Sequence, residues 1–231
     1  MSNMPLKMIS SMATRELLAA LAAQFAQRTG QPVQAQAAGG IDVAGRVEQG
    51  EAFDVVVLAS NAIDKLMASG KVLPGSRRDL VESGVAIAVR AGAARPAIAT
   101  EEDVKAAVLA ASTLSYSTGP SGVYLEKLFE RWGILELIRS RIVVPPPGTP
   151  VGSLVATGRA ALGFQQLSEL MNLDGIAVLG PLPSAIQTLT VFSGGICAAS
   201  KRPDAGRTLL DYMASAEAAD SKRRHGMEPA R

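Results

Sequence analysis

The sequence predicts an α/β protein with mostly parallel sheets, and two observations carry that prediction. Near the N-terminus, three short apolar segments each lead through a small, polar or glycine-rich joint into a segment with helical spacing. Repeated strand and helix units of this kind are typical of a parallel, doubly wound sheet. From about residue 85 a second block repeats the alternation, which breaks down after Gly175. Two apolar segments then follow with no helix between them, so we expect the second to run antiparallel or to cross between two halves of the protein.

In the first block, the predicted strands are residues 7–10, 33–37 and 53–59. The third is continuously apolar, as expected of a parallel strand that is covered on both faces. Each strand leads into a helix with apolar residues on one face, and the three helices end at Gly30, Gly50 and Gly70. Asp42 and Ser60 are the expected N-caps of the second and third helices.

The second block begins with a strand at 85–89 and a helix that Thr100 and Asp103 open as a capping box. Strand 113–116, loop 117–122 and a helix with Leu125, Leu128, Phe129 and Trp132 on its inner face come next. Thr149 and Pro150 are expected to open a further helix. The remaining predicted strands are 142–144, 160–165, 176–183 and 189–197, and helices at 205–215 and 216–224 close the chain.

Composition excludes several functional classes. The chain of 231 residues has 23 Lys and Arg against 21 Asp and Glu and only 4% aromatic residues, so nucleic acid is not an expected partner. A single cysteine, Cys197, and a single histidine, His225, argue against a disulfide framework, a metal centre and a Ser-His-Asp triad. The sequence has no dinucleotide or P-loop fingerprint, so we expect no cofactor and no metal.

The N-terminal residues have no signal-peptide pattern, and no apolar run approaches the roughly 20 residues of a membrane span. We therefore expect no membrane insertion. The protein as written is expected to be cytoplasmic, or periplasmic if a leader has been removed, and to be a monomer or a weak dimer.

Hydroxyl, glycine and amide residues cluster where predicted strands end and helices begin. A helix N-terminus has unpaired backbone N–H groups and the positive end of the helix dipole, so such positions suit an anion. The candidate ligand-binding residues are Ser10, Ser11, Thr14, Arg15, Gly39, Gly40, Ser117, Thr118, Ser121, Thr149, Gln165 and Gln166. The alternative is an ordinary cap or turn for the small and polar residues and a solvated helix face for Arg15. Arg46 would add charge if it turned inward, but its position beside Glu48 favours a solvated helix face.

This layout resembles the type II periplasmic-binding-protein fold and, within it, the periplasmic molybdate-binding proteins. The resemblance covers almost the whole chain and includes segments 46–57, 120–124, 162–164 and 226–228. It implies two α/β lobes, with crossing strands near 85–89 and 189–193, that close on an anion. Lobe 1 would comprise 1–83 and 189–231, and lobe 2 would be the inserted segment 84–188. The helix starts near Ser11, Gly40, Ser121 and Thr149 would converge on the cleft.

The departures from the molybdate-binding pattern bear on the ligand. Ala13 stands where that family has a serine, Gly39 and Gly40 replace a serine-rich loop, and Gln166 stands in the place of a cleft tyrosine. Fewer hydroxyls indicate a larger, less symmetric anion than a tetrahedral oxyanion. Segments 165–170, 180–183 and 190–193 resemble a branch of the family that is associated with organic acids and includes aconitate isomerase.

Several functions remain open at this point. One is a binding protein for a small organic polycarboxylate. A second is a cofactor-free isomerase that moves a proton and a double bond in a tricarboxylate such as aconitate. Its catalytic residue is not identified, because the candidate bases are chosen by position only; they are Asp42, Glu169 and Tyr116. A third is the solute-binding component of an ABC-type transporter for molybdate or another oxyanion. A ligand-sensing regulatory domain is the least supported, because no output segment is recognisable.

Overall fold

A computed structural model describes residues 4–146 and 148–230. The chain divides into two compact units: unit 1 comprises Met1–Ser83 and Val191–Arg231, and unit 2 comprises Gly84–Thr190. Each unit combines helices with a sheet, so the α/β prediction is confirmed.

Unit 1 begins with three strand and helix pairs. The strands are β1 (Leu6–Ser11), β2 (Val33–Ala38) and β3 (Val55–Ala59), and the helices are α1 (Arg15–Thr29), α2 (Gly40–Glu48) and α3 (Ser60–Ala68). A short 3-10 helix, Met12–Thr14, joins β1 to α1. Because β1 pairs in parallel with both β2 and β3, the carboxyl ends of all three strands lie at one edge of the sheet.

The next strand, β4 (Arg78–Arg90), starts in unit 1 and ends in unit 2. The elements that follow are α4 (Glu101–Ala110), β5 (Leu114–Tyr116), α5 (Pro120–Arg131), α6 (Leu135–Ile138), a 3-10 helix (Arg139–Arg141), α7 (Val151–Ala156), β6 (Leu162–Gln166), α8 (Leu167–Leu170) and β7 (Ile176–Pro181). β5 and β6 are parallel, whereas β4 pairs antiparallel with β6 and β7. Among the described strands of unit 2, the parallel pair is β5 with β6.

The chain passes back into unit 1 along β8 (Leu189–Ile196), which pairs antiparallel with β3 as the broken alternation predicted. It ends with α9 (Pro203–Ala214), a 3-10 helix (Ala216–Ala218), α10 (Ala219–Arg224) and β9 (Glu228–Pro229). β9 pairs with the unit 1 part of β4. The C-terminal segment therefore completes unit 1.

Alternation along the strands builds a core on each face of the unit 1 sheet. Leu6, Met8, Val55 and Val57 pack with α1 and α9, whereas Ile9, Val56 and Leu58 pack with α2 and α3. In unit 2, Phe129 and Phe164 meet edge to face with ring centroids 6.2 Å apart inside the main core. Both units thus bury both faces of their sheets, which explains the continuous apolar run of β3.

A buried carboxylate fixes the amino end of β3. Asp54 accepts hydrogen bonds from the Lys7 backbone N–H (2.9 Å), Ser200 Oγ (2.6 Å) and Arg202 Nη2 (2.9 Å). Burial raises the pKa of Asp54, but the bonds from Ser200, Lys7 and Arg202 outweigh that effect and hold the pKa below its usual value. This network lies at the opposite end of the sheet from the helix starts.

Several local predictions are confirmed and several are wrong. Thr100 and Asp103 form the capping box, with bonds of 3.1 and 3.0 Å in the two directions. Asp42 and Ser60 are not N-caps, because β2 and β3 run almost directly into their helices and leave Gly39 and Ala59 at the cap positions. Pro150, not Thr149, precedes the first residue of α7. The predicted strand 142–144 is reduced to a bridge between Leu114 and Ile142.

Across the described residues, no helix combines the length and the apolar character that crossing a membrane requires.

Candidate functional site

The hydroxyl residues of unit 1 lie at the carboxyl edge of its parallel strands. Ser11 pairs in register with Ala38 of β2, and Ser10 pairs with both Ala37 of β2 and Val57 of β3. Ser10, Ser11 and Thr14 are all buried. The strand register therefore brings these hydroxyls to the edge at which α2 and α3 begin.

Ser11 differs from its neighbours in its hydrogen bonding. Ser10 Oγ and Thr14 Oγ1 both donate to the Ser11 carbonyl oxygen, at 3.3 and 3.2 Å. Ser11 Oγ, in a residue that is 8% exposed, is the one buried side-chain nitrogen or oxygen in the described chain that has no hydrogen-bond partner. An unsatisfied buried polar group costs about 1–3 kcal/mol. A ligand atom that paired with this hydroxyl would remove that penalty.

The glycines at the start of α2 leave open space beside this group. A Cβ atom on Gly39 would meet nothing within 4 Å, and one on Gly40 would meet only Leu58 Cδ2 at 3.8 Å. Their backbone angles do not demand glycine either, because neither has a positive φ. Both residues are exposed, so bare backbone at the start of α2 faces open space. A ligand can occupy this space, which the side chains of a serine-rich loop would partly fill.

The two arginines considered from the sequence are engaged at the surface. Arg15 is exposed and pairs with the adjacent Glu16. Arg46 donates from Nε and Nη2 to the Glu51 carboxylate, both at 2.7 Å, and its guanidinium lies 5.1 Å from the centre of the Phe53 ring. Arg46 is therefore half-buried and paired with Glu51 rather than fully solvated, and Arg15 has a carboxylate partner on its own helix.

In unit 2, two hydroxyls meet at the start of α5. The Oγ atoms of Ser117 and Ser121 are 2.8 Å apart, and Ser121 is only 2% exposed. A Cβ atom on Gly122 would come within 1.6 Å of the Ser117 carbonyl oxygen, so only glycine allows the loop to fold this tightly over the helix. Thr118 is exposed beside this pair. The glycine of the Ser121-Gly122 motif is therefore required sterically at this turn.

Both glutamines at the end of β6 are buried and hydrogen-bonded within unit 2. Gln165 Nε2 donates to Glu169 Oε1 at 2.8 Å, and Gln165 Oε1 accepts from the Gly152 N–H at 3.4 Å. Gln166 Nε2 donates to Thr190 Oγ1 at 2.9 Å. The side chain of Gln165 therefore already accepts from a backbone N–H in the first turn of α7. Thr149 was expected to help bind an anion at the start of this helix. Thr149 itself is half-buried, and its N–H donates to the Pro146 carbonyl.

A pocket of about 350 Å³ adjoins the start of α5. Its lining residues are Tyr116, Ser117, Thr118, Gly122, Val123, Glu126, Arg139, Ile142 and Val144. Tyr116 Oη donates to Glu126 Oε1 at 3.1 Å. Burial, and then the nearby Glu126 carboxylate, raise the pKa of Tyr116 well above its usual value. Tyr116 therefore remains protonated at neutral pH and acts as a hydrogen-bond donor.

Sequence reasoning missed two charged residues of this pocket. Glu126 follows Gly122 by one helical turn, so the spacing i, i+4 along α5 was an available signal. Arg139 lies in a 3-10 turn that no pattern in the sequence indicated. The pocket therefore contains a carboxylate, a guanidinium and a phenol in addition to the predicted hydroxyls.

A further glutamine, also missed, supports the start of the unit 2 sheet. Gln187 accepts from the Val85 N–H at 2.9 Å and donates to the Val85 carbonyl at 3.0 Å, as a neighbouring strand would. A Cβ on Gly84 would lie 3.1 Å from Gln187 Nε2, so glycine gives this side chain room. Since Val85 is paired with Gln166, Gln187 helps to fix the strand beside that site residue.

Comparison with known proteins gives relatives of two kinds. An aconitate isomerase from Pseudomonas sp is 41% identical over 187 residues, which cover 80% of this chain and 70% of that protein. Among solved structures, the periplasmic molybdate-binding protein of Azotobacter vinelandii superposes with a TM-score of 0.81 at 21% identity, covering 98% of this chain and 100% of that one. The sulfate-binding protein SubI of Mycobacterium tuberculosis H37Rv gives a TM-score of 0.80 at 15% identity, covering 98% and 87%.

The two structural matches show that the fold is the two-lobe fold of periplasmic binding proteins, as the resemblance implied. The sequence model of the bacterial extracellular solute-binding proteins matches residues 6–228. That match spans nearly the whole chain, and the 41% identity to one relative agrees with it. The protein described here is therefore a member of the bacterial extracellular solute-binding protein family.

Proposed function

We propose that this protein binds a small organic polycarboxylate and isomerises it by proton transfer without a cofactor, with a tricarboxylate such as aconitate as the substrate. The observation that carries the binding step is the buried Ser11 Oγ beside the starts of α1 and α2, which has no hydrogen-bond partner among the described residues. An anion accepts hydrogen bonds from hydroxyls and from first-turn N–H groups, so this edge of unit 1 is suited to a carboxylate. Identity to an aconitate isomerase supports the choice of substrate.

The pattern of donors favours a polycarboxylate over a compact tetrahedral oxyanion. A tetrahedral oxyanion needs a dense shell of short donors, whereas Ala13 and the two glycines 39 and 40 provide no hydroxyl. Around Gly39 and Gly40 a side chain would meet almost nothing, which leaves room for a larger ligand. Donors left unpaired by the wrong ligand would cost about 1–3 kcal/mol each, so discrimination should be clear.

Isomerisation requires a base that removes a proton next to a carboxylate and donors that stabilise the resulting enolate. Hydroxyls and helix N-termini can supply the donors. Unit 2 offers carboxylates near the candidate residues, namely Glu126 beside Ser117 and Thr118 and Glu169 beside Gln165. The reaction returns the proton to the substrate, so no cofactor is needed for balance.

A second function, the solute-binding component of a transporter for molybdate or another oxyanion, is supported by family membership. The fold similarity to a molybdate-binding protein and a sulfate-binding protein is compatible with it. Membership of a family of extracellular proteins also favours the periplasmic alternative over the cytoplasmic one for this protein. Fractionation of the source cells, with detection of the protein in the periplasmic extract, tests that location.

The deciding experiment incubates the purified protein with trans-aconitate and follows cis-aconitate by chromatography. A parallel thermal-shift panel uses trans-aconitate, cis-aconitate, citrate, molybdate, sulfate and phosphate. A ligand at a hundred times its Kd stabilises the folded protein by about 2.7 kcal/mol, which such a panel detects. Turnover of trans-aconitate supports the isomerase; carboxylate binding without turnover leaves only the binding protein. A response to molybdate alone would contradict the polycarboxylate assignment.

The involvement of the α5 loop is tested at Ser121. Ser121 is almost fully buried, so a bulky residue such as Leu at this position would disturb packing as well as the loop surface. Ser121→Ala instead removes only the hydroxyl that pairs with Ser117. We expect it to weaken the thermal shift caused by the carboxylate, whereas the matched control Ser112→Ala, on an exposed residue of the same unit, should not. Equal responses in the two variants would remove the α5 loop from the site.

A further inference from the structure

The pocket beside α5 holds an acid–base cluster that the sequence did not reveal. Tyr116 Oη donates to Glu126 Oε1 at 3.1 Å, and Arg139 borders the same cavity of about 350 Å³. Arg139 pairs with the Glu136 carboxylate through Nε and Nη2, and within residues 4–146 and 148–230 its Nη1 has no acceptor. Ser117 and Thr118, which are candidate ligand residues, line this cavity as well. A ligand held by those hydroxyls therefore shares one cavity with a carboxylate and a guanidinium.

On the basis of the function proposed above, we infer that Glu126 is the group that transfers the proton, that Tyr116 positions it, and that Arg139 receives a carboxylate of the substrate. The hydrogen bond from Tyr116 engages Oε1 of Glu126, so Oε2 is the oxygen that meets the substrate. Helix α5 carries Glu126 one turn beyond Gly122, whose close contact with Ser117 ties the loop to the helix. The base and the loop hydroxyls are therefore held together by one rigid turn.

The other candidate bases are less suitable. Tyr116 is buried and its pKa is raised by burial and by Glu126, so it does not lose its proton at neutral pH. Glu169 is tied to Gln165 Nε2 at 2.8 Å, in the bond that links β6 to α8. Asp42 lies exposed on α2 in unit 1 and is not among the residues that line the pocket. Glu126 is the carboxylate among them that lines a cavity together with predicted ligand residues.

The step balances without an added reactant. Glu126 Oε2 takes a proton from the methylene carbon of the substrate, and the C–H electron pair becomes part of an allylic carbanion that the adjacent carboxylates delocalise. The protonated Glu126 then returns the proton to the carbon at the far end of the former double bond. One C–H bond breaks and one forms, the double bond shifts by one position, and the enzyme ends in its starting state. Arg139 would stabilise negative charge on the carboxylate that it holds.

The test compares Glu126→Gln with the matched control Glu130→Gln, which changes an exposed glutamate one turn further along α5. General acid–base catalysis contributes roughly 100- to 10,000-fold, so Glu126→Gln should lower kcat for conversion of trans-aconitate by at least about 100-fold. Its Kd for trans-aconitate, from calorimetry, should change much less. Glu130→Gln should retain the wild-type kcat, and circular dichroism should show that both variants are folded.

Two further variants test the assigned roles. The titratable and charged groups facing Glu126 in the pocket are Tyr116 from β5 and Arg139 from the 3-10 helix after α6. Tyr116→Phe removes the donor that orients the Glu126 carboxylate, so kcat should fall while KM stays near the wild-type value, a split that loosened packing alone would not produce. Arg139→Gln should raise KM by about tenfold or more, because a charged partner of the substrate is lost.

The outcomes separate this inference from the function on which it rests. If the wild-type protein neither binds nor converts trans-aconitate, the proposed function fails and the role of Glu126 fails with it. If the wild type converts trans-aconitate and Glu126→Gln does so within twofold of the same rate, Glu126 is not the proton-transferring group, and the proposed function stands. A large loss in Glu126→Gln with an unaltered Glu130→Gln supports the inference.

Discussion

Replacing Ser11 by alanine should change the stability of the free protein and its response to ligand in opposite directions. Ser11 Oγ is buried and has no partner within the described chain, whereas the Ser11 carbonyl accepts from both Ser10 and Thr14. Ser11→Ala therefore deletes an unsatisfied polar atom without breaking a hydrogen bond. If the hydroxyl is kept for a ligand, the same change removes a donor to the bound anion.

The expected magnitudes follow from these contacts. An unsatisfied buried hydroxyl costs about 1–3 kcal/mol, so the free Ser11→Ala protein should be more stable by up to that amount. For a chain of this length, each 1 kcal/mol corresponds to about 2–4 °C in Tm. A hydrogen bond to a charged group contributes about 1.5–3 kcal/mol, so Kd for the preferred anion should rise about 10- to 150-fold.

Differential scanning calorimetry with and without trans-aconitate, together with titration calorimetry, measures both effects. Ser76→Ala is the control, because Ser76 is also buried in unit 1 but is not a candidate ligand residue, and its hydroxyl already donates to the Leu73 carbonyl. That control should lose stability and keep its ligand affinity. If Ser11→Ala lowers the Tm of the free protein and leaves Kd unchanged, Ser11 Oγ has a structural partner and does not bind the ligand.

The sequence predicted the fold well where local patterns and packing demand the same structure. The apolar run at β3, the glycine stops after α1 and α2 and the Thr100 capping box all correspond to observed elements. The predictions of N-caps at Asp42 and Ser60 were wrong, because β2 and β3 lead directly into their helices and Gly39 and Ala59 occupy the cap positions. The first half of β4 was missed, because the charged and polar residues within Arg78–Ser83 obscure the strand pattern.

The candidate site was predictable only in part. Hydroxyls at strand ends can be read from sequence, since parallel strands bring their carboxyl ends to one edge. The hydrogen bond from Gln165 to Glu169 and the pocket position of Arg139 depend on how separate segments pack, so no local pattern encodes them. The same is true of Ser11, which looks like its neighbour Ser10 in sequence and differs from it only in the absence of a described partner.

Three further predictions concern steric fit, thiol reactivity and pH. Gly122→Ala should destabilise the protein by about 1–3 kcal/mol or more in urea unfolding, because the new Cβ would lie 1.6 Å from the Ser117 carbonyl oxygen. Gly45 lies in the middle of α2 with open space around it, so Gly45→Ala should stabilise the protein by about 0.5–1 kcal/mol. Cys197 should resist a thiol reagent at pH 8 until the protein unfolds, since burial and then the charge of Asp54 raise its pKa to about 12; rapid labelling of folded protein would contradict this. Asp54 should stabilise the folded state fully above its unfolded pKa of about 3.9, and that contribution should disappear as the pH falls through the lower folded-state value. The test measures the free energy of unfolding between pH 7 and pH 2. Asp54→Asn should reduce the loss of stability at acid pH, whereas the control Asp174→Asn, at an exposed residue, should not. The same acid dependence in wild type and Asp54→Asn would show that the bonds from Ser200 and Arg202 do not favour the charged carboxylate.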